Sequence, residues 1–255
     1  MEIQIGNTNI QYTDVGSGDP VVMLHGWGSC KEAFGRVITT VAEKYRVIAP
    51  DLPGFGKSSE PPKAWDVDGF ADMVVRFVSA LGLRKIILLG HSFGGRISIK
   101  LCARDSLPFE IEKLILVDSA GIMPRRSIGY KMRVGAYKAA KKFMSTSLMR
   151  KLSPDGVEKM QAKRGSADYR NASPVMKGCL VKAVNEDLEP LLGKISVETL
   201  LIWGTEDDAT PIGDAKIMEK KIPNAGLAEI NGAGHFSWLD SPAVFDAIIR
   251  SYLKI

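Results

Sequence analysis

The sequence predicts an α/β protein whose central sheet is mostly parallel and carries helices on both faces. Short, continuously apolar runs such as residues 21–24 and 86–89 are typical of strands buried on both faces of a parallel sheet. Between such runs lie segments such as residues 67–81, in which apolar side chains recur every three or four positions, as in an amphipathic helix. Strands that alternate with helices favour a sheet covered on both sides.

Taken in order, the elements begin with an N-terminal β-hairpin over residues 2–15, whose turn contains Gly6 and Asn7. Further strands are predicted at residues 21–24, 46–49, 86–89, 113–117, 199–203 and 226–230. Helices are predicted at residues 31–43, 67–81 and 96–104, and a C-terminal helix is expected to be capped by Ser241 and Pro242.

Residues 122–195 form a long insertion between two predicted strands. A loop of this length without secondary structure is uncommon in a compact domain. Apolar residues recur at helical spacing within residues 132–143, 175–184 and 186–192. We therefore expect a helical cap at residues 122–195, placed over the carboxyl edge of a core domain that is formed by residues 1–121 and 196–255.

The composition argues against several classes of protein. With 45% hydrophobic residues, the chain can bury one large core. No apolar run approaches the roughly 20 residues of a membrane-spanning helix, and no signal peptide is recognisable. The three cysteines, Cys30, Cys102 and Cys179, are widely spaced, which favours a reducing cytoplasm over a disulfide framework or a zinc site. No cluster of His, Cys and Asp has metal-ligand spacing, so we expect no metal and no cofactor.

The most informative stretch is Gly90-His91-Ser92-Phe93-Gly94, which lies between a predicted strand and a predicted helix. This order of strand, Gly-x-Ser-x-Gly and helix is typical of a nucleophile elbow, a sharp turn that exposes a serine hydroxyl at the carboxyl end of a sheet. Gly90 and Gly94 are expected because a Cβ at either position would collide with the neighbouring chain. The motif also arises by chance in Gly-rich turns, so the flanking strand and helix carry the inference.

A serine hydroxyl needs a base to remove its proton, and the base needs a carboxylate to orient it. The chain contains only three histidines. His91 belongs to the elbow and is expected to point away from the serine, and His25 ends a strand. His235 lies in a loop after the last predicted strand, from which it can reach back over the sheet to Ser92. His235 is therefore the predicted base.

The carboxylate is expected between the serine and the histidine in chain order. The segment that follows strand 199–203 contains Glu206, Asp207 and Asp208. We select Asp207 as the acid, while the other two could equally be solvated turn residues. Asp118, at the end of another strand, is a rival acid whose alternative role is to hydrogen-bond loop backbone.

Attack on an ester carbonyl creates an oxyanion, which two backbone N–H groups usually hold. The N–H of Phe93, directly after the serine, is one predicted donor. The second is expected from the loop after strand 21–24, where Trp27 lies between Gly26 and Gly28. The Trp27 indole could also line the pocket or simply pack as a buried aromatic.

Five motifs, in this order, resemble the α/β-hydrolase superfamily over nearly the whole chain. They are His25-Gly26-Trp27-Gly28, Asp51-Leu52-Pro53-Gly54-Phe55-Gly56-Lys57-Ser58, Gly90-His91-Ser92-Phe93-Gly94-Gly95, Trp203-Gly204-Thr205-Glu206-Asp207 with Pro211, and Gly232-Ala233-Gly234-His235. The resemblance implies the α/β-hydrolase fold, with the nucleophile, acid and base at Ser92, Asp207 and His235. By the same resemblance, the oxyanion positions fall on Trp27 and Phe93.

The resemblance also narrows the chemistry. Haloalkane dehalogenases and epoxide hydrolases of this superfamily carry Asp at the elbow, so Ser92 argues against both. The first two motifs look like those of acyl-carrier-protein methyl ester esterases, from which His91 and Phe93 depart. We expect a serine carboxylesterase that acts on a small-to-medium ester through an acyl-enzyme. The alternatives are a carbon–carbon bond hydrolase of the meta-cleavage-product type with the same triad, and a ligand-binding protein or receptor with little turnover.

Charge is spread unevenly along the chain. The net charge is +5, and residues 122–195 hold 16 Lys and Arg against six Asp and Glu. A basic cap could steer an anionic substrate, an acidic acyl carrier protein or an anionic membrane surface, but a solvated helical face is the simpler explanation of this charge. The basic residues concerned are Arg125, Arg126, Lys131, Arg133, Lys138, Lys141, Lys142, Arg150 and Lys151.

Binding of nucleic acid or nucleotides is not expected. No aromatic-interleaved basic motif accompanies the positive charge. Gly56-Lys57-Ser58 matches the last three residues of a phosphate-binding loop motif, but Asp51 occupies the position at which that motif requires a glycine.

Overall fold

A single mixed sheet organises the protein, whose computed structural model describes residues 1–123 and 167–255. Its strands are β1 (Glu2–Ile5), β2 (Thr8–Val15), β3 (Pro20–Leu24), β4 (Arg46–Pro50), β5 (Lys85–His91), β6 (Glu110–Val117), β7 (Glu198–Gly204) and β8 (Ala225–Ile230). They lie in the order β1-β2-β4-β3-β5-β6-β7-β8. β2 is antiparallel to β1 and β4, and all the other neighbours are parallel. The predicted fold class is therefore confirmed, and so is the N-terminal hairpin.

The helices of the described residues are α1 (Gly35–Val41), α2 (Val67–Ala80), α3 (Phe93–Cys102), α4 (Ala167–Asn171), α5 (Pro174–Asn185), α6 (Ile212–Lys221), α7 (Ser237–Asp240) and α8 (Pro242–Leu253). Short 3₁₀ helices cover Lys31–Phe34 and Glu189–Lys194. Within these two described parts of the chain, no helix is long and apolar enough to cross a membrane.

Both faces of the sheet are buried. In β3, Val22 and Leu24 contribute to the core that α2, α3 and α6 cover. Val21 and Met23 of the same strand point to the other face, which α1 and α8 cover. The central strands are therefore continuously apolar instead of alternating, which is why they could be predicted from the sequence.

The structure differs from the sequence prediction at several helices. The helix expected at residues 31–43 is divided into a 3₁₀ turn and α1. The helix after the elbow begins at Phe93, three residues earlier than its apolar pattern indicated. Ser241 occupies the N-cap position of α8, but its side chain makes no capping hydrogen bond. The helices α4, α6 and α7 were not predicted.

The two ends of the insertion meet at the sheet edge. The backbone N–H of Leu188 donates to the carbonyl oxygen of Gly121 at 2.9 Å. The described part of the chain resumes at residue 167. Helix α5 then packs on the core, where Cys179 Sγ accepts a hydrogen bond from the Trp65 N–H at 3.2 Å. Residues 124–166 lie outside the described residues, and with them the predicted helical pattern at residues 132–143 and the nine basic residues named above.

Replacement of Gly94 by alanine tests the tight packing of the elbow. A Cβ at Gly94 would overlap the backbone carbonyl of Leu24 in β3, which cannot move without disrupting the sheet. We expect Gly94→Ala to lower the free energy of unfolding in urea by about 3 kcal/mol or more. The control is Gly213→Ala in α6, where nothing lies within 4 Å of the added Cβ and a gain of about 0.5 kcal/mol is expected. Equal effects of the two substitutions would contradict this packing.

Candidate active site

Ser92 lies at the sharp turn between β5 and α3. Its backbone has φ of 50° and ψ of −111°, a conformation that residues other than glycine rarely adopt. The Ser92 N–H donates to the carbonyl of Val117 at 3.2 Å, and the Ser92 carbonyl accepts from the Ala120 N–H at 3.0 Å. The strained turn is thus tied to the end of β6 and the loop after it.

The glycines of the motif have the role that the sequence predicted. A Cβ at Gly90 would lie 2.5 Å from Ser98 Oγ and 2.6 Å from the carbonyl oxygen of Gly94. At Gly94, the added atom would overlap the backbone of Leu24. The close approach of α3 to β3 and β5 therefore depends on the absence of side chains at both positions.

The structure brings Ser92, Asp207 and His235 together. His235 Nε2 lies 2.9 Å from Ser92 Oγ, and His235 Nδ1 lies 2.8 Å from Asp207 Oδ2. A carboxylate only accepts hydrogen bonds, so Nδ1 carries the proton and Nε2 presents its lone pair to the serine hydroxyl. This is the tautomer in which an imidazole can take a proton from serine.

Asp207 is held more firmly than its neighbours in sequence. Its Oδ1 accepts from the N–H groups of Ala209 and Thr210 at 2.8 and 2.9 Å, and its Oδ2 accepts from the Thr210 hydroxyl at 2.6 Å. Burial raises the pKa of Asp207, but hydrogen bonds from His235 and Thr210 outweigh it, and the net pKa is lowered. Glu206 and Asp208 are exposed at the surface, as expected for solvated turn residues.

Asp118, the rival acid, has the alternative role that the sequence left open. It is fully buried, and its carboxylate accepts from the backbone N–H groups of Gly204 at 2.8 Å and Ser237 at 3.1 Å. Burial raises the pKa of Asp118 to about 6. The imidazole Nδ1 of His235 pairs with Asp207, while Asp118 binds the loops on which Asp207 and His235 lie.

His91 contributes to the site in a way that the sequence did not predict. Its Nε2 lies 2.9 Å from the carbonyl oxygen of His235, so this nitrogen must donate its proton. The ring also packs edge-on against Trp238, with 4.5 Å between centroids. Burial lowers the pKa of His91 to about 3, which keeps the imidazole neutral. His91 thus supports the backbone of the loop that carries His235.

His25 has a structural position at the end of β3. Its Nε2 accepts from the Leu52 N–H at 2.9 Å, and its Nδ1 donates to the carbonyl of Gly26 at 2.7 Å. Burial lowers the pKa of His25 to about 4. The Nε2 bond joins the loops after β3 and β4, and the Nδ1 bond lies within the loop after β3.

The two predicted oxyanion residues flank the serine. Phe93 begins α3, and the first N–H groups of a helix have no acceptor within the helix. Gly26, directly before Trp27, lies against the serine, because a Cβ at Gly26 would be 3.2 Å from Ser92 Cβ. The Trp27 ring packs edge-on against Phe55 and Phe93, with centroids 4.9 and 5.1 Å apart. Trp27, Phe55 and Phe93 therefore form an aromatic cluster, the aromatic wall, which includes the residue directly after the serine.

One group among the described residues has ligand atoms close enough for a metal ion, namely Cys30, Glu32 and Asp51. The ammonium of Lys31 already lies 2.8 Å from a carboxylate oxygen of both Glu32 and Asp51. Burial raises the pKa of Cys30, which disfavours the thiolate that a metal requires. We interpret this group as a set of ion pairs that joins the loops after β3 and β4, and we assign no metal to it.

Comparisons with known proteins identify the family to which the chain is similar. A family model described as alpha/beta hydrolase fold matches residues 19–242. The pimeloyl-(acyl-carrier protein) methyl ester esterase of Chromobacterium violaceum is 26% identical over 96% of this chain and 98% of its own length. The 2-hydroxymuconate semialdehyde hydrolase of Pseudomonas sp. is 27% identical over 94% of this chain and 88% of its own. An esterase from Exiguobacterium antarcticum superposes with a TM-score of 0.76, at 28% identity, over 100% of this chain and 99% of the esterase.

The neutral state of His91 predicts a pH-dependent stability. The pKa of His91 is about 3 in the folded protein and about 6.5 for an unperturbed histidine, so the unfolded chain binds one more proton between these values. This group therefore makes the free energy of unfolding fall by about 1.4 kcal/mol per pH unit as the pH drops from 6 to 4. His91→Gln keeps a donor near the position of Nε2 but does not titrate.

Urea unfolding at pH 7, 6, 5 and 4 measures the effect. Any deficit in stability of the His91→Gln variant relative to wild type at pH 7 should shrink by about 1.4 kcal/mol per pH unit below pH 6. A constant difference across this range would show that His91 titrates normally in the folded protein.

Proposed function

The chain belongs to the α/β-hydrolase fold family, and from that membership and the contacts of Ser92 we propose that it is a serine hydrolase that cleaves carboxylic esters through an acyl-enzyme. The observation that carries the proposal is the continuous set of contacts from Ser92 Oγ through the His235 imidazole to Asp207, at 2.9 and 2.8 Å. A hydroxyl, a base with its lone pair toward it, and an orienting carboxylate are the groups that nucleophilic acyl transfer requires.

In the first half of the reaction, Ser92 Oγ attacks the carbonyl carbon of the ester while His235 Nε2 takes the hydroxyl proton. Asp207 stabilises the imidazolium that forms and does not itself take up a proton. The tetrahedral intermediate then collapses, His235 gives the proton to the departing alkoxide oxygen, and the alcohol leaves. An ester of Ser92 remains.

The oxyanion of the intermediate is assigned to the N–H groups of Trp27 and Phe93. The position of Phe93 at the start of α3 supports this role, because helix N-termini favour negative charge. Loss of one such donor raises the activation barrier by about 2.7–4 kcal/mol in serine hydrolases.

In the second half of the reaction, His235 takes a proton from water, and the water oxygen attacks the acyl-enzyme. The proton then passes from His235 to Ser92 Oγ as the acid is released.

The aromatic wall supports an apolar acyl or alcohol group in the substrate. Phe93, directly after the serine, is packed against Trp27 and Phe70 with centroids 5.1 and 5.0 Å apart, and Trp27 is only partly buried. A small-to-medium ester is the proposed substrate. The helical cap at residues 122–195 is proposed to close over the site, and its positive charge is proposed to favour an anionic substrate, with an acyl carrier protein as one such partner. The cysteines Cys30, Cys102 and Cys179 are unpaired, which supports a cytoplasmic location.

A carbon–carbon bond hydrolase is the second candidate. The 2-hydroxymuconate semialdehyde hydrolase is as similar to this chain as the methyl ester esterase is. The same serine, base and acid would serve both reactions, so the substrate alone separates them. A ligand-binding protein with little turnover is the third reading, and the complete set of contacts around Ser92 argues against it.

Hydrolysis of p-nitrophenyl acetate, butyrate and octanoate tests the proposal. We expect turnover by the wild type and a fall in kcat of at least about 1,000-fold in Ser92→Ala, because the nucleophile is removed while the fold is kept. Ser79→Ala, the same chemical change on the exposed face of α2, serves as the control and should retain wild-type activity.

The outcomes separate the candidates. Ester turnover that depends on Ser92 supports the esterase, and the preferred chain length reports the size of acyl group that the enzyme accepts. Turnover of a meta-cleavage product without ester turnover would replace it with the carbon–carbon hydrolase. Equal activity of wild type and Ser92→Ala would contradict the role of Ser92 in either reaction.

A further inference from the structure

Asp118 is connected to both loops that carry the acid and the base. Its carboxylate accepts from the Gly204 N–H, three residues before Asp207, at 2.8 Å. The same carboxylate accepts from the Ser237 N–H, two residues after His235, at 3.1 Å. The side chain of the residue directly after β6 therefore binds the end of β7 and the start of α7 through two separate oxygens, and so fixes the segments that carry Asp207 and His235 relative to each other.

The backbone of Asp118 strengthens this connection. Its N–H donates to the carbonyl of Ile202 in β7 at 3.0 Å, and its carbonyl lies 3.0 Å from the Thr210 hydroxyl, which also contacts Asp207. Asp118 adopts φ of 43°, a left-handed conformation that aspartate tolerates better than most residues. This turn at the end of β6 presents both carboxylate oxygens to the neighbouring loops.

We propose that Asp118 is a positioning residue whose ionised carboxylate holds His235 at bonding distance from Asp207 and Ser92. The inference rests on the proposed serine hydrolase chemistry. When Asp118 is protonated, it loses its charge and one of its oxygens becomes a hydroxyl, which is a weaker acceptor for the N–H that faces it. One of the two segments is then held less firmly, and the contact of His235 with its partners lengthens.

The surroundings of Asp118 define its pH dependence. Asp207 is the charged neighbour that acts on the Asp118 carboxylate, and the Thr210 hydroxyl lies between the Asp118 backbone carbonyl and His235 Nδ1. Burial, and to a smaller degree the charge of Asp207, raises the pKa of Asp118 to about 6. Activity should therefore fall as Asp118 is protonated below about pH 6.

Asp118→Asn tests the proposal at constant size. The amide has one acceptor oxygen, and its NH₂ group faces a second N–H donor, so one loop loses its bond. We expect kcat to fall 10- to 100-fold, with KM within about twofold, because a distorted base impairs the chemical step and not substrate binding. In a plot of the logarithm of kcat/KM against pH, the fall below about pH 6 should be steeper in wild type than in the variant, because the variant has lost the titration of Asp118.

Two measurements distinguish positioning from a purely structural role. Ionisation of a buried carboxyl with a raised pKa opposes folding above that pKa, so removal of the charge offsets the lost hydrogen bond at neutral pH. The melting temperature of Asp118→Asn should therefore stay within about 3 °C of wild type at pH 7.5. Asp240→Asn is the matched control. The exposed carboxylate of Asp240 accepts at 2.8 Å from the N–H of Gly234, which lies on the same loop as His235, and water can replace this carboxylate as the acceptor.

A proton NMR readout keeps this inference separate from the esterase proposal. The hydrogen shared by His235 Nδ1 and Asp207 should give a strongly downfield resonance in wild type and in Asp240→Asn. Loss or a large upfield shift of that resonance in Asp118→Asn supports the proposal, even if no ester is turned over. An unchanged resonance, or the same acid-limb slope in wild type and variant, overturns it. If Asp118→Asn does not fold, the pH titration of the wild-type resonance decides the question: the proposal requires it to weaken as Asp118 is protonated near pH 6, and a resonance that does not change there overturns the proposal.

Discussion

The strained turn at Ser92 is the constraint on which the rest of the site depends. Its positive φ costs on the order of 1–3 kcal/mol and persists only because the surroundings leave the chain no alternative. Gly94 lies directly against the backbone of β3, and the Ser92 backbone is hydrogen-bonded to Val117 and Ala120. The buried strand β5 and helix α3 therefore hold the hydroxyl at a fixed point at the carboxyl edge of the sheet.

The parallel register of the sheet determines what can reach that point. The strands β5, β6, β7 and β8 run side by side, so their carboxyl ends lie along one edge. Asp118, Asp207 and His235 follow the last three of these strands, and short loops suffice to bring them together. Hydrogen bonds between buried side chains and the backbone then fix the distances between these residues. His91 Nε2 donates to the carbonyl of His235, and Asp118 accepts from the N–H groups of Gly204 and Ser237.

Much of this arrangement could be predicted from the sequence. The strands were recognisable because their apolar runs are buried on two faces, and Ser92 because only a glycine-flanked turn fits between β5 and α3. The grouping of Ser92, Asp207 and His235 followed from the order of strand ends and the scarcity of histidine. Among the three adjacent acids, Asp207 is the buried one that contacts His235.

Other features of the structure have no local sequence pattern from which they could have been predicted. The bonds of His91 and Asp118 to loop backbone join residues 144 and 119 positions apart and involve no particular side chain on the partner. The helix α6 buries only Ala215 and Met218, so its amphipathic signal is weak. The Asp214 in its first turn and the lysines in its last turn were the signals that could have located it.

Covalent labelling by a fluorophosphonate probe tests the central claim most directly, since such a probe reacts with a serine only where a neighbouring base activates it. The account predicts a single adduct per chain, located at Ser92 by peptide mass spectrometry. Labelling should be absent in Ser92→Ala and at least about 100-fold slower in His235→Ala. An adduct at another serine, or equal labelling of wild type and His235→Ala, would contradict it.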